Sequence, residues 1–287
     1  MSNGGDELRQ LEAGLDALET KQLVERKRGA AIFKALSPLL AIAFIVIIWQ
    51  LVVSIFSIEN FILPRPSEVA STLQNQWELG NLQTALSTSF LRGIQGFIIA
   101  IVLATPIGLL LGLNRTLRMI FGPILLGLQQ LPSVAWVPAA IIWFGLSPAT
   151  IYAVILLGAI PSIANGLIAG IDQINPIYRR VSRVLGANRW QNIRHFILPA
   201  SWTGYLAGLE QGWAFAWRSL MAAELIAVSP ALGLGVGQLL DVGRQLGDMS
   251  LVIASILMIM LIGVLVEKVL FSPVRNRTLR RRGLLQQ

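Results

Sequence analysis

At 287 residues, with 54% hydrophobic and 13% charged positions and a mean hydropathy of +0.66, the chain is too apolar for an ordinary water-soluble domain and reads as an integral membrane protein. Lys+Arg 23 against Asp+Glu 15 gives a net charge of +8, but the basic residues sit between apolar stretches, so the balance points to membrane topology and not to nucleic acid. Cys 0 excludes disulfides and thiolate chemistry, and His 1 leaves no histidine metal centre, so no cofactor or metal is expected on this chain.

Residues 1–34 are polar, without the apolar core or small-residue site of a cleavable signal peptide. Leu8, Leu11, Leu15 and Leu18 recur at helical spacing, which predicts an amphipathic cytoplasmic helix near the membrane surface. A transmembrane domain is expected over residues 35–272, with a basic cytoplasmic tail over 273–287. The first span covers residues 35–56, about the 20 residues needed to cross the hydrocarbon core. Residues 58–81 are polar, with Pro66 at a helix start. The second span, 84–113, carries Ala104, Gly108 and Gly112 four apart, a spacing that lets helix backbones approach in lipid. Residues 114–118 form a basic turn.

The third span, 120–144, places Gln129, Gln130 and Ser133 at depth, so at least one amide should face protein or a wet cavity. The fourth runs over 150–168. In the fifth, 200–227, Glu210, Trp213, Trp217, Met221 and Glu224 share one face, and Gly204, Gly208 and Gly212 fall opposite it. The last span, 249–271, follows a Gly-rich loop over 229–247 and leads into five arginines between 275 and 282. The result is an all-α membrane protein of about six transmembrane helices. With both termini in the cytoplasm, the basic clusters fall inside and a slightly acidic set falls outside, as the positive-inside rule requires.

Residues 172–199 are the long basic interval between spans. Charges at helix-centre depth cost about 2.5 to 3.5 kcal/mol each, so the interval must face water. Asn175 and Pro176 suit a helix start, Gly186 an elbow, and Asn188 a second cap, with Pro199 closing the second helix. An alternative use of this pair lays Ile193, Phe196 and Ile197 in the headgroups with the arginines on anionic lipid.

Within the fifth span, Glu210, Arg218 and Glu224 mark a functional path or a buried pair. Arg92 enters the second span at similar depth to Glu224, so these two are expected to pair, and reversing both charges should restore folding lost in either single variant. Arg218 is the expected substrate-facing cation, with Trp213 and Trp217 lining the same path; its planar fork suits a carboxylate, sulfonate or nitrate. Snorkelling of Arg218 to the headgroups is the competing role. Gly233-Leu234-Gly235-Val236-Gly237 lacks both the dinucleotide spacing and a Gly-Lys-Ser/Thr ending, so it is not a nucleotide site.

From Gly186, across a helical spacer, to Phe196-Ile197-Leu198-Pro199, the loop resembles the Glu-Ala-Ala loop of permease subunits of ABC importers. The family's Glu, Ala and Ala fall on Arg180, Val181 and Ser182. Leu63 to Val69, Pro132 to Gly145, Leu185 to Trp190 and Trp217 to Leu225 look like its sulfonate, taurine, nitrate and bicarbonate branch. The resemblance implies the type I importer permease fold in a bacterial inner membrane. It implies import of a small anion, aliphatic sulfonate first. It also implies a homodimer with two cytoplasmic ATPase subunits that hold ATP and magnesium, and an extracytoplasmic binding protein. Arg180, Arg183, Gly186, Ala187, Trp190, Leu198 and Pro199 would couple to the ATPase. Gln129, Gln130, Ser133, Glu210, Trp213, Trp217, Arg218 and Glu224 would line the translocation path. A proton-coupled secondary transporter, with Glu210 as the carrier, is the alternative class. An intramembrane enzyme lacks a nucleophile and base, because His195 is solitary.

Overall fold

The computed structural model describes Ser37 and residues 39–282, so the N-terminal amphipathic helix and the last five residues lie outside the described residues. The chain divides after Pro66 into two compact units. In the first, helix α1 (Leu39–Ile55) is apolar but short, and the indole of Trp49 donates to the Pro64 carbonyl at 3.0 Å.

The second unit is built of helices joined by short turns, with no strand among its described residues. It contains α2 (Pro66–Glu78), α3 (Asn81–Leu113), α4 (Arg115–Gln130), α5 (Trp136–Phe144), α6 (Pro148–Asp172), α7 (Pro176–Val184), a single turn α8 (Arg189–Gln191), α9 (Leu198–Ile226), α10 (Val236–Leu246), α11 (Met249–Val266) and α12 (Ser272–Arg281). Among the described residues, three helices are long and apolar enough to span a membrane: α3, α6, and α11 with α12 as one rod of 33 residues.

The expected third span is not one helix. The chain bends by 95° between α4 and the segment Ser133–Phe144. Pro132 cannot donate a helical hydrogen bond, and it drives Leu131 to φ −73, ψ 130, out of the helical region. The helix also starts earlier than expected, because Asn114 caps α4 by accepting from the Thr116 and Leu117 amides. Similarly, the expected Gly-rich loop contains a helix. α10 is amphipathic, and Gly247 ends it in the left-handed region at φ 68, where a Cβ would be penalised.

α6 is the central helix, and small residues set its contacts on both sides. Against α3, positions 96, 108 and 112 are glycines whose missing Cβ atoms would meet Ile155, Leu167 and Ile171, so each meets the residue fifty-nine positions further on. A constant offset means that α3 and α6 run parallel and in register. Against α9, Gly166 faces Gly208 and Gly170 faces Gly204, so these two helices run antiparallel with their backbones in contact. Both glycine series expected to pack therefore do so. Polar groups add fixed points: Tyr205 and Thr105 join hydroxyls at 2.6 Å, and Tyr152 donates to Gln95 at 2.6 Å.

The last span does not stop at Phe271. A π-helical turn at Glu267–Phe271 carries α11 directly into α12, which lies along α9: Arg275 bridges Glu210 at 2.9 Å and Glu267 at 3.1 Å, and the Trp202 indole donates to Thr278. Residues 273–281, the start of the expected tail, thus continue the helix of the last span.

Candidate functional site

The loop between α6 and α9 forms as the helix signals require. Asn175 accepts from the Ile177 amide at 3.0 Å and starts α7. At its far end the Gly186 amide donates to the Arg183 carbonyl at 3.1 Å and the Ala187 amide donates to Ser182 at 3.0 Å. This paired closure requires a left-handed residue, and Gly186 supplies it at φ 66. Asn188 then accepts from the Gln191 amide at 2.8 Å, while the Gln191 side chain accepts from the Asn188 amide at 2.9 Å.

Pro199 does not close the second arm. From Arg189 the helix continues through a π-helical turn at Asn192–Ile197 into α9, with Pro199 in the first turn of α9. Proline has no N–H, so the turn widens, and the Leu198 amide donates to Ile193 five residues back. The second arm and the fifth span are one continuous rod.

The elbow presents apolar surface to solvent. Val184 is 86% exposed, Leu185 68% and Trp190 66%, with Arg180 and Arg183 beside them on α7 and Ala187 half-buried at the turn. These side chains form an exposed apolar patch around the elbow. At its root, Arg118 forks onto both oxygens of Asp172 at 2.7 and 2.6 Å, tying the start of α4 to the end of α6. This bridge is exposed, so Arg118→Gln is expected to destabilise by at most about 1 kcal/mol, measured by detergent-micelle unfolding.

At the opposite end of the bundle, Glu224 has no exposed surface. Its carboxylate accepts from Arg92 at 3.0 Å, from the Ser89 hydroxyl at 2.6 Å and from the Gly237 amide at 3.1 Å. Ser89 in turn accepts from the Val236 amide, and Arg92 also donates to the Leu232 carbonyl. The expected Arg92 to Glu224 pair therefore forms. It is also the clasp for the glycine-rich segment: a Cβ on Gly235 or Gly237 would lie 2.4 or 2.7 Å from Glu224. A side chain at Gly235 would strike the carboxylate and one at Gly237 the Glu224 Cβ and the α9 backbone, at the N-terminal amides of α10. Ser89 gave no sequence signal for this role, since its partners are 135 and 147 positions away.

The expected grouping of Arg218 with Trp213 and Trp217 does not occur. Both indoles are buried and stacked at 6.0 Å; Trp213 meets Phe97 edge-on, and Trp217 donates to the Ile259 carbonyl at 3.1 Å. Their face of α9 packs on α3 and α11, because large aromatic surface is most stable when buried. Arg218 points away from them, exposed, over the Phe215 ring at 4.6 Å and bonded to the Ala214 carbonyl at 2.9 Å. It shares a stripe within about 60° with Ala207, Gln211 and Ala214, all exposed. Gln211 is the member of this stripe that sequence reasoning missed; its signal was the polar composition of α9, a 29-residue helix that is not among those apolar enough to span.

The remaining path residues are dispersed. Gln129 accepts from Asn165 on α6 at 2.8 Å, meeting the expectation that one amide faces protein, whereas Gln130 is exposed and Ser133 half-buried at the bend. Glu210 is held by Arg275. Among the described residues, no cluster of His, Cys, Asp or Glu is arranged to hold a metal.

Residues 96–270 match the family described as binding-protein-dependent transport system inner membrane component. The chain is 30% identical to the taurine transport system permease protein of Escherichia coli, over 83% of this chain and 86% of that protein. It is 29% identical to a Bacillus subtilis protein named for aliphatic sulfonates transport, over 86% and 88%. It is 32% identical to the bicarbonate transport system permease protein of Synechococcus elongatus, over 51% and 52%. With the bundle and its loop, these matches displace the secondary-transporter alternative: the chain belongs to the binding-protein-dependent inner membrane components, as a multi-pass permease subunit of an ABC importer.

Proposed function

We propose that this permease imports a small anion, with aliphatic sulfonate or taurine favoured and bicarbonate or nitrate as the other candidates, and that the 172–199 loop docks on a separate cytoplasmic ATPase. The observation that carries the reading is the exposed apolar tip of Val184, Leu185 and Trp190 around Gly186. Its area and aromatic anchor suit insertion into a partner's groove. Arg115, Arg118, Arg180, Arg183, Arg277 and Arg280 fall at the loop end, while Asp241, Arg244 and Asp248 at the other are net acidic, which supports a cytoplasmic loop and cytoplasmic termini.

ATP and magnesium then belong to two ATPase subunits, and a second copy of the permease completes the path. Closure of the ATPases would move both loops. Because each second arm is continuous with α9, the motion reaches the stripe of Gln211 and Arg218 without an intervening hinge. Arg218 would meet the anion released by the binding protein near the outer end, its guanidinium fork matching two anionic oxygens.

The test is reconstitution of the permease with its ATPase in lipid, with binding protein loaded with taurine, an alkanesulfonate, bicarbonate or nitrate. One loaded form should stimulate ATP hydrolysis. Trp190→Asp should abolish ATPase co-purification while leaving unfolding unchanged, since that side chain has few contacts to lose. Arg218→Gln should retain the ATPase and lower uptake at least tenfold. Full uptake by Trp190→Asp would defeat the docking assignment.

A further inference from the structure

The two arms of the loop leave a cleft of about 870 Å³ between them. Ile174, Ile177, Tyr178, Val181 and Phe196 form its apolar walls, and Val184, Leu185 and Trp190 at the tip take no part in it. It opens at the root of the loop, where α6 ends, α9 begins and α12 gives way to Arg282. Two of these, α6 and the rod of α11 and α12, are long and apolar enough to span a membrane, which puts the cleft at the boundary between hydrocarbon and water. The docking tip is left free.

The charge of the cleft has one sign. Arg282 lines it beside the imidazole of His195, and no carboxylate does. Arg282 donates to the carbonyl oxygens of Pro199 and Ala200, so its guanidinium is fixed in the wall by neutral groups. It takes part in none of the ion pairs formed among the described residues. His195 meets the Gln191 carbonyl through Nδ1 and lines the cleft. A fixed cation without a counter-ion among the described residues, above apolar walls at a membrane boundary, is complementary to an anionic amphiphile.

We propose that this cleft seats the headgroup of an anionic bilayer phospholipid, its phosphate on Arg282 and its glycerol end against Ile177, Tyr178 and Phe196. The lipid enters from the inner leaflet and wedges the arms of the loop apart. This goes beyond the ATPase reading and does not depend on it, because binding is measured on the permease by itself.

The full chain, purified in a non-ionic detergent, would be titrated with phosphatidylglycerol or phosphatidylcholine and the bound lipid counted by native mass spectrometry. One tightly held phosphatidylglycerol per chain is expected, and no retained phosphatidylcholine. Arg282→Gln should weaken retention at least tenfold, Arg282→Lys by less, and Arg281→Gln, outside the cleft, not at all. Val181→Glu, which places a carboxylate in the wall while leaving the Arg282 bonds intact, should also expel the lipid. Equal loss in Arg281→Gln would reduce the effect to general basic attraction and overturn the site. Unchanged retention in either Arg282→Gln or Val181→Glu would overturn it too, as would displacement of the lipid by glycerol phosphate at equal concentration.

Discussion

Arg92→Met is expected to destabilise the permease by about 3–5 kcal/mol, the range for leaving one member of a buried ion pair uncompensated. Glu224 is fully buried and cannot recover water when Arg92 is removed. Glu224→Gln should be milder, because an amide oxygen can still accept from Ser89 or Gly237. The sequence alone suggested that exchanging the two charges would rescue either single variant. The structure predicts the opposite. Position 224 must accept from the Ser89 hydroxyl and the Gly237 amide, and a guanidinium has no acceptor to offer. It would also have to fit where Gly235 already abuts the carboxylate. Unfolding of Arg92→Glu with Glu224→Arg, followed in micelles, decides the matter: recovery to within about 1 kcal/mol of the parent would show that the charges alone matter.

The second large effect lies at the α6–α9 contact. A Cβ on Gly166 would stand 2.2 Å from the Gly208 Cα, a distance only backbone movement can relieve. Gly166→Ala is therefore expected to destabilise by about 3 kcal/mol, the upper end of the usual overpacking range, with Leu worse. The same change at Gly127 on α4 meets nothing within 4 Å and should stabilise by up to about 1 kcal/mol through helix propensity. Micelle unfolding of the two variants should shift in opposite directions. A matching shift would mean that α6 and α9 separate freely, against the backbone contact described above.

The glycine stripes on α3 and α9, the caps at Asn175 and Asn188, the elbow at Gly186 and the Arg92 to Glu224 pair were all legible in the sequence. All but the pair rest on local chemistry or on helical phase, which one segment carries by itself; the pair, 132 positions apart, was legible because two opposite charges at matching depth in two spans have few other partners. What was not legible depends on a partner far along the chain. Phase alone gathered Glu210, Trp213, Trp217 and Glu224 on one face, but it could not say that α3, α11 and α12 cover that face. The face was therefore read as a path, whereas the exposed stripe of Gln211 and Arg218 lies elsewhere. Pro199 misled for a different reason. A missing N–H predicts a helix end when the only options are α-helix or loop, but a widened turn accommodates it without breaking the rod. Pro132 has the same defect yet does break its helix, because Leu131 leaves the helical region there.

The constant offset between α3 and α6 bears on how the molecule comes into being. Helices paired by neighbouring position can associate as soon as a short connection has been made. Here Gly96, Gly108 and Gly112 must wait for residues fifty-nine positions downstream. At a synthesis rate of about 5–20 residues per second, that interval lasts roughly 3 to 12 s. Throughout it α3 has no partner for its glycine groove, and the whole bent α4–α5 segment must be placed before one arrives. The nascent permease therefore passes through a stage in which its second span is threaded but unpaired, the stage at which a membrane insertase or a wrong helix has access to that groove.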